Sequence, residues 1–271
     1  MYLGVDLGTS SVKLVLADAG GKIIDSASAD YPLYLPEEGW SEQKPEEWYA
    51  AVLDCVRKLG ERQDMSAVEG ISFCGQMHGL VVLDADDNVI RPAILWNDNR
   101  TTEECAYLNE EVGREKLLEW TGNVAFTGFT APKLMWLKKH EPDNFAKIAK
   151  IMLPKDYIAY KISGVFGSDV SDDSGTLYFD VKNRRWSAPM LDLIGISEAQ
   201  LPAIFESTDV IGTVSPAFAA ESGMSTSAKI IIGGGDQAVG AVGTGTVKEG
   251  SMFVSLGTIG VVFAPLSLIH M

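Results

Sequence analysis

The tripeptide Leu-Gly-Thr occurs twice, near opposite ends of the chain, and each time between two apolar runs. Residues 3–15 read LGVDLGTSSVKLV and residues 254–263 read VSLGTIGVVF. Each reads as a β-hairpin whose turn leaves backbone N–H groups free and adds a hydroxyl, the composition of a loop that holds phosphate oxygens. Two such loops so far apart imply a duplicated fold closing on one nucleotide from both sides. The second loop falls almost at the end of the sequence, so the chain reads as one half of such a machine plus a stub.

The segments between the loops support this. YLGVD, SVKLVLAD and KIIDSASADY form a β-meander with Gly20-Gly21 at its second turn. After a proline-bearing extended stretch, Pro45 opens a helix with Glu46 and Glu47 in its first turn, where the helix dipole favours them. Trp48, Ala51, Val52, Cys55, Val56 and Leu59 then fall on one helical stripe. VEGISFCG is a strand and LVVLDADDNVI a hairpin; residues 101–165 are mostly helical, including DNFAKIAK, and residues 166–215 mix short strands and helices. The chain then runs through strand KIIIGGG, helix DQAVGAVGTG and the second hairpin. Three antiparallel strands, a helix, a strand and more helices is the order of an α/β, ribonuclease H-like half-domain.

Composition narrows the partners. A formal charge of −15 argues against nucleic acid and anionic membrane surfaces. No apolar run approaches the ~20 residues that span a bilayer, and the start reads as a strand rather than a signal peptide. Cys55, Cys74 and Cys105 have neither metal-ligand spacing nor an even count, which predicts reduced thiols and a cytoplasmic protein.

Three constellations carry chemistry. Asp6 ends the first strand and is followed by Gly8, Thr9, Ser10, Ser11 and Lys13. A carboxylate beside a hydroxyl-bearing glycine turn can place Mg²⁺ next to a nucleotide's phosphates; the plainer alternative is a hairpin with a polar turn. Gly233, Gly234 and Gly235 let a ligand or another backbone approach, and Asp236 and Gln237 follow at a helix start. There Asp236 suits a base for phosphoryl transfer, or serves only as a cap. Gln76, Met77 and His78, with Trp96, Asn97, Asp98 and Arg100, offer directed polar groups beside an indole face, which suits a polyhydroxylated ligand. A structural histidine and a surface Asp98–Arg100 ion pair are the alternatives.

DLGTSSVK, GQMHG, LWNDNR, GFTAPKLMWLKKH, LPKDY and GGGDQAVGAVG together resemble the FGGY carbohydrate kinases across essentially residues 1–264. The resemblance implies an actin/hexokinase-type ATPase domain with a mixed five-stranded sheet and a largely helical insertion. It also implies ATP-dependent phosphorylation of a ketopentose, D-xylulose, at its 5-hydroxyl; another sugar or a sugar acid such as gluconate, or a non-catalytic sugar-binding fragment, is the alternative. By resemblance Met77, His78, Asp236 and Gln237 contact the sugar, with Asp236 as the base, and Asp6 with Asp236 serves Mg²⁺. Thr9, Lys13, Gly257 and Thr258 lie near the ATP phosphates. Lys13 stands where glycerol kinases have arginine, and Ile259 where the second loop usually has serine, which removes a bidentate donor and a hydroxyl. Family members are about twice this length, so residues 1–248 read as the N-terminal domain and residues 249–271 as the start of a C-terminal ATP-binding domain. A half-enzyme of this kind is expected to turn over no ATP by itself. Its apolar hairpin (Met252, Val254, Leu256, Val261 and Phe263) is expected to fold back or to pair in a homodimer.

Overall fold

The computed structural model describes residues 1–256 and 260–265. Six strands form the central sheet: β1 (Tyr2–Leu7), β2 (Ser11–Ala17), β3 (Ile23–Asp30), β4 (Gly70–Gly75), β5 (Val210–Thr213) and β6 (Lys229–Gly235), in the order β5-β6-β4-β1-β2-β3. β1, β4 and β6 run parallel and the others antiparallel to their neighbours. The mixed sheet is therefore as expected, with one strand more than five. The extra strand, β5, is a four-residue edge strand whose bulge at Val210/Gly212 breaks its register, so its sequence carries little periodic signal.

Side-chain alternation decides which residues leave the core. In β1, Leu3, Val5 and Leu7 point inward, so Gly4 and Asp6 occupy the other face. In β2, Val12, Leu14 and Leu16 are buried, which puts Lys13 on the face of Asp6 and directly opposite it. Under the inward face lie the helices α1 (Pro45–Gly60) and α3 (Pro154–Ser163). All six stripe residues of α1 are buried, and each large side chain among them contributes about 1.5–3 kcal/mol.

A second apolar cluster gathers Leu134, Trp136 and Leu137 of α2 (Thr130–His140) with Phe179, Met190 and Ile194. DNFAKIAK does not form one helix. Pro142–Phe145 makes a single turn, and Lys150–Met152 is a strand paired with Val81–Leu83, because Ile151 and Met152 are needed in the core. The strand after the Asp84–Asn88 turn shrinks to one bridge, Leu83 to Val89. After β6 come α4 (Asp236–Gly243) and a hairpin of β7 (Phe253–Leu256) and β8 (Gly260–Phe263). One face of that hairpin leans on α4, where Phe253 lies against Gly240 and stacks on Phe263, while Met252, Val254, Leu256 and Val262 stay exposed.

Candidate active site

Three parallel strands end side by side. Asp6 of β1 is in register with Cys74 of β4, and Cys74 with Gly234 of β6; one step further, Gly75 pairs with both Leu7 and Gly235. The residues leaving these ends are the Gly8–Ser11 turn, Gln76 to His78, and Asp236. Ligands of open α/β sheets bind at such carboxyl ends, and the sheet brings all three constellations to one edge.

The first turn is held rigidly. The Gly8 amide donates to the Ser11 carbonyl at 3.0 Å. The Tyr31 hydroxyl donates to the Gly8 carbonyl. Gln43 Nε2 donates to the Thr9 carbonyl at 2.7 Å and Trp96 Nε1 to Thr9 Oγ1 at 2.9 Å. Asp6 adjoins a cavity of about 240 Å³ on the outer sheet face, which Lys13, Ser72, Cys74 and Val239 also line. Surrounding protein raises the Asp6 carboxyl above its usual range, against a hydrogen bond from Cys74 and the charge of Lys13.

The Gly233–Asp236 turn depends on missing side chains. Gly233 has φ +74°, and a Cβ there would sit 1.7 Å from the Phe73 carbonyl oxygen. A Cβ on Gly235 would meet the Met77 sulfur at 2.8 Å, so Met77 lies directly over the turn. Asp236 begins α4; desolvation raises its carboxyl, its hydrogen bonds to Gln237 oppose this, and the charge of Asp6 adds to it. A raised carboxylate at a helix start is a stronger base than a free one.

His78 is held in the left-handed region at φ 67°, which a non-glycine residue adopts only when its surroundings impose it. Lys133 Nζ donates to its carbonyl at 2.7 Å and Thr130 Oγ1 at 3.2 Å, while Phe129 lies 4.9 Å from its ring. Its Nδ1 sits 3.0 Å from the Gly175 carbonyl oxygen. A carbonyl only accepts, so Nδ1 carries the proton and Nε2 keeps a lone pair for a donor. Burial, and then the charge of Lys133, push the imidazole down to about 4; burial likewise pushes Lys133 down to about 7.

The imidazole shift carries a sign. Between about 6.5 and about 4 the unfolded imidazole takes a proton that the native one refuses, so stability falls as pH falls through that window. The loss is on the order of 3 kcal/mol. Urea unfolding at pH 7 and pH 4.5 is expected to show a smaller difference for His78→Gln than for the parent; equal differences would place His78 in water.

Gln76 Oε1, Asn97 Oδ1 and Gln237 Oε1 are buried and have no hydrogen-bond partner among the described residues. Buried polar atoms are normally paired, and these three belong to the predicted sugar-binding set. Gln76 is anchored by donating to Gln43 Oε1 at 3.0 Å. Trp96 and Asn97 are half-buried, and Asn97 borders a separate cavity of about 470 Å³ with Trp40 and Glu38.

Asp98 and Arg100 form an ion pair, but a buried one rather than the surface pair that was the plainer alternative, and Arg100 Nη1 is left without a partner among the described residues. Asp98 accepts from Arg100 and from the Ser41 amide; Arg100 also pairs with Glu42, and its guanidinium lies 3.7 Å from the Trp40 ring centroid. Their side chains are 0% and 1% exposed. The pair anchors the loop that carries Trp96 and Asn97, a role that the spacing in WNDNR leaves invisible. Gly257 and Thr258 lie outside the described residues. A larger cavity, about 490 Å³, between Tyr107, Met135 and Ile194 contains none of the predicted residues.

Sequence reasoning assigned no role to residues 155–175. Ser171 and Gly175 come from this stretch and touch Gly235 and His78. The signal was there as a Lys-Asp pair inside an apolar helix and as the Asp- and Ser-rich run SDVSDDSG.

Residues 1–243 match the FGGY family of carbohydrate kinases, N-terminal domain, and the chain belongs to that family. It is 43% identical over 264 residues to xylulose kinase of Escherichia coli strain K12, an alignment covering 97% of this chain and 54% of the relative. The crystal structure of a xylulose kinase from Brucella ovis superposes with a TM-score of 0.92 at 44% identity, covering 97% of this chain and 54% of that one. That of gluconate kinase from Lactobacillus acidophilus gives 0.91 at 28%, covering 96% and 53%. The chain thus spans about half the length of the curated relatives it matches. The solved neighbours, FGGY sugar kinases, give the fold as the actin/hexokinase-like ATPase fold. Among the described residues, no helix is long and apolar enough to cross a membrane.

Proposed function

We propose that residues 1–248 form the sugar-binding half of an ATP-dependent kinase for D-xylulose, with residues 249–271 beginning its ATP-binding half. One observation carries the reading: the three parallel strands deliver Asp6, His78 and Asp236 to a single edge, where the neighbouring Gln76 and Gln237 each keep a buried amide oxygen with no partner among the described residues. His78 Nε2 accepts from one sugar hydroxyl, while Gln76, Gln237 and Asn97 bind others and Met77 and Trp96 supply apolar walls. Asp236 accepts the proton of the 5-hydroxyl as its oxygen attacks the γ-phosphorus of ATP. The turn from Gly8 to Ser11, Lys13 and, in the second loop, Gly257 and Thr258 lie toward the phosphates.

Two carboxylates near enough that the charge of Asp6 raises Asp236 fit a Mg²⁺ site completed by phosphate oxygens. When bound there, the ion supplies charge neutralisation for the transferring phosphoryl group. The cytoplasm is the proposed compartment. A homodimer through the exposed β7–β8 hairpin is part of the proposal. Light scattering should show a mass drop when residues 250–271 are removed beyond that of the deletion itself; a monomeric mass before and after would contradict it.

Calorimetric titration of the 271-residue chain tests the sugar assignment. D-Xylulose is expected to bind more tightly than D-gluconate. His78→Ala should weaken D-xylulose by about 5–100-fold, the cost of about 1–3 kcal/mol for an unpaired hydrogen-bonding group, and, in a chain that continues these residues with the second half found in the relatives, should leave ATP affinity alone. Preference for D-gluconate would move the substrate to the sugar acids. Equal losses for sugar and ATP would remove His78 from the sugar site.

A further inference from the structure

The candidate base and the candidate sugar-binding imidazole come from distant strands, yet one short segment holds both. Ser171 Oγ accepts from the Gly235 amide at 3.1 Å, immediately before Asp236. The same hydroxyl donates to Asp169 Oδ2 at 2.6 Å, and Asp169 Oδ1 lies 2.9 Å from the buried Lys155 Nζ. Four residues along from Ser171, the Gly175 carbonyl fixes the protonated Nδ1 of His78. The fit at both ends is tight. A Cβ on Gly234 would lie 2.7 Å from Ser171 Oγ, and a Cβ on Gly175 would lie 2.2 Å from the His78 ring.

Asp169 caps the helix Val170–Asp173 by accepting from the Ser171 and Asp172 amides, and Ser207 donates to it at 2.6 Å. The segment is thus anchored to a fully buried ion pair and cannot drift without breaking it. Its far end is also tied, since the Thr176 carbonyl accepts from the Ala131 amide at the start of α2.

We propose that residues 169–175 are a clamp that sets Asp236 and His78 at a fixed separation matched to the sugar, with Ser171 and Gly175 as positioning residues. The proposal rests on the sugar-binding reading of that edge. Neither residue touches substrate. Ser171 acts on Asp236 through the Gly235 amide, and Gly175 selects which imidazole nitrogen is left to accept a sugar hydroxyl.

Amide exchange and ¹⁵N ring shifts by NMR, with D-xylulose calorimetry on the same 271-residue samples, test this. Ser171→Ala is expected to speed exchange of the Gly235 amide about tenfold, the loss of one hydrogen bond. Ser171→Thr, which keeps the hydroxyl, should restore it. Gly175→Ala is expected to move the His78 ring shifts away from the Nδ1-protonated form while leaving Gly235 exchange at the parent rate. D-Xylulose affinity should fall about tenfold in Ser171→Ala and Gly175→Ala, and hold in Ser171→Thr. Unchanged Gly235 exchange in Ser171→Ala, or unchanged ring shifts in Gly175→Ala, would overturn the clamp. So would full D-xylulose affinity in both variants. If the unaltered chain shows no D-xylulose heat at all while the exchange and shift changes occur as expected, the sugar reading fails and the mechanical clamp does not.

Discussion

In a chain that continues these residues with the second half found in the relatives, Asp236→Asn is expected to lower sugar-dependent ATP turnover by about 10²–10⁴-fold. Sugar affinity should stay within a few-fold, because the amide keeps the shape and a hydrogen-bonding oxygen. The expectation follows from position and charge together. The bulge at Gly233 and the hydrogen bond to Ser171 aim the turn, desolvation raises the carboxyl, and the charge of Asp6 raises it further. A base in phosphoryl transfer needs a proton affinity nearer that of its working pH than a free carboxylate has. A coupled assay for ADP, run beside calorimetry with D-xylulose, separates the two effects. Turnover within a few-fold of the parent would leave Asp236 as a helix cap.

Lys155→Met is expected to destabilise the domain by about 3–5 kcal/mol at pH 7, the usual result of stripping one partner from a buried ion pair. Among the described residues Lys155 is the cation that pairs with Asp156, Asp169 and Asp172, all buried with it. Burial by itself would lower its pKa, and those carboxylates hold it above the ordinary value instead. Asp172 and Asp173 are already pushed well above the normal carboxylate range by burial and by their acidic neighbours. Without the lysine more of the cluster must take up protons, so the folded variant binds more protons than its unfolded chain, whose Asp groups titrate near ~3.9. The sign follows: the deficit shrinks as pH falls toward that value and grows as pH rises through the elevated native pKa values. Urea midpoints at pH 5 and pH 7.5 read this directly. A deficit below about 1 kcal/mol, or one independent of pH, would show that water reaches the cluster.

The two predictions mark what the sequence does and does not reveal. Strand alternation in LGVDLGTSSVKLV leaves Asp6 on the face away from Leu3, Val5 and Leu7, and Lys13 on the face away from Val12, Leu14 and Leu16; the hairpin register then sets the two opposite each other. The glycine run before Asp236 announced a close approach, and the structure supplies the three neighbours, Phe73, Ser171 and Met77. Asp98 and Arg100 stayed open in the sequence, since a charged pair two residues apart looks the same in a binding loop and in a buried brace. Only Glu42 and Trp40, more than fifty residues earlier, decide between them. The clamp was invisible for the same reason. Its hydrogen bonds join residues 64 and 97 positions apart, and nothing local in SDVSDDSG says which strand ends it will meet.

The most direct test is a crystal structure of the 271-residue chain with D-xylulose. The sugar is predicted to lie at the ends of the three parallel strands, with its terminal hydroxyl oxygen about 2.6–3.2 Å from the Asp236 carboxylate and a second hydroxyl donating to His78 Nε2. A sugar seated instead in the cavity between Tyr107, Met135 and Ile194, with Asp236 and His78 untouched, would contradict the account.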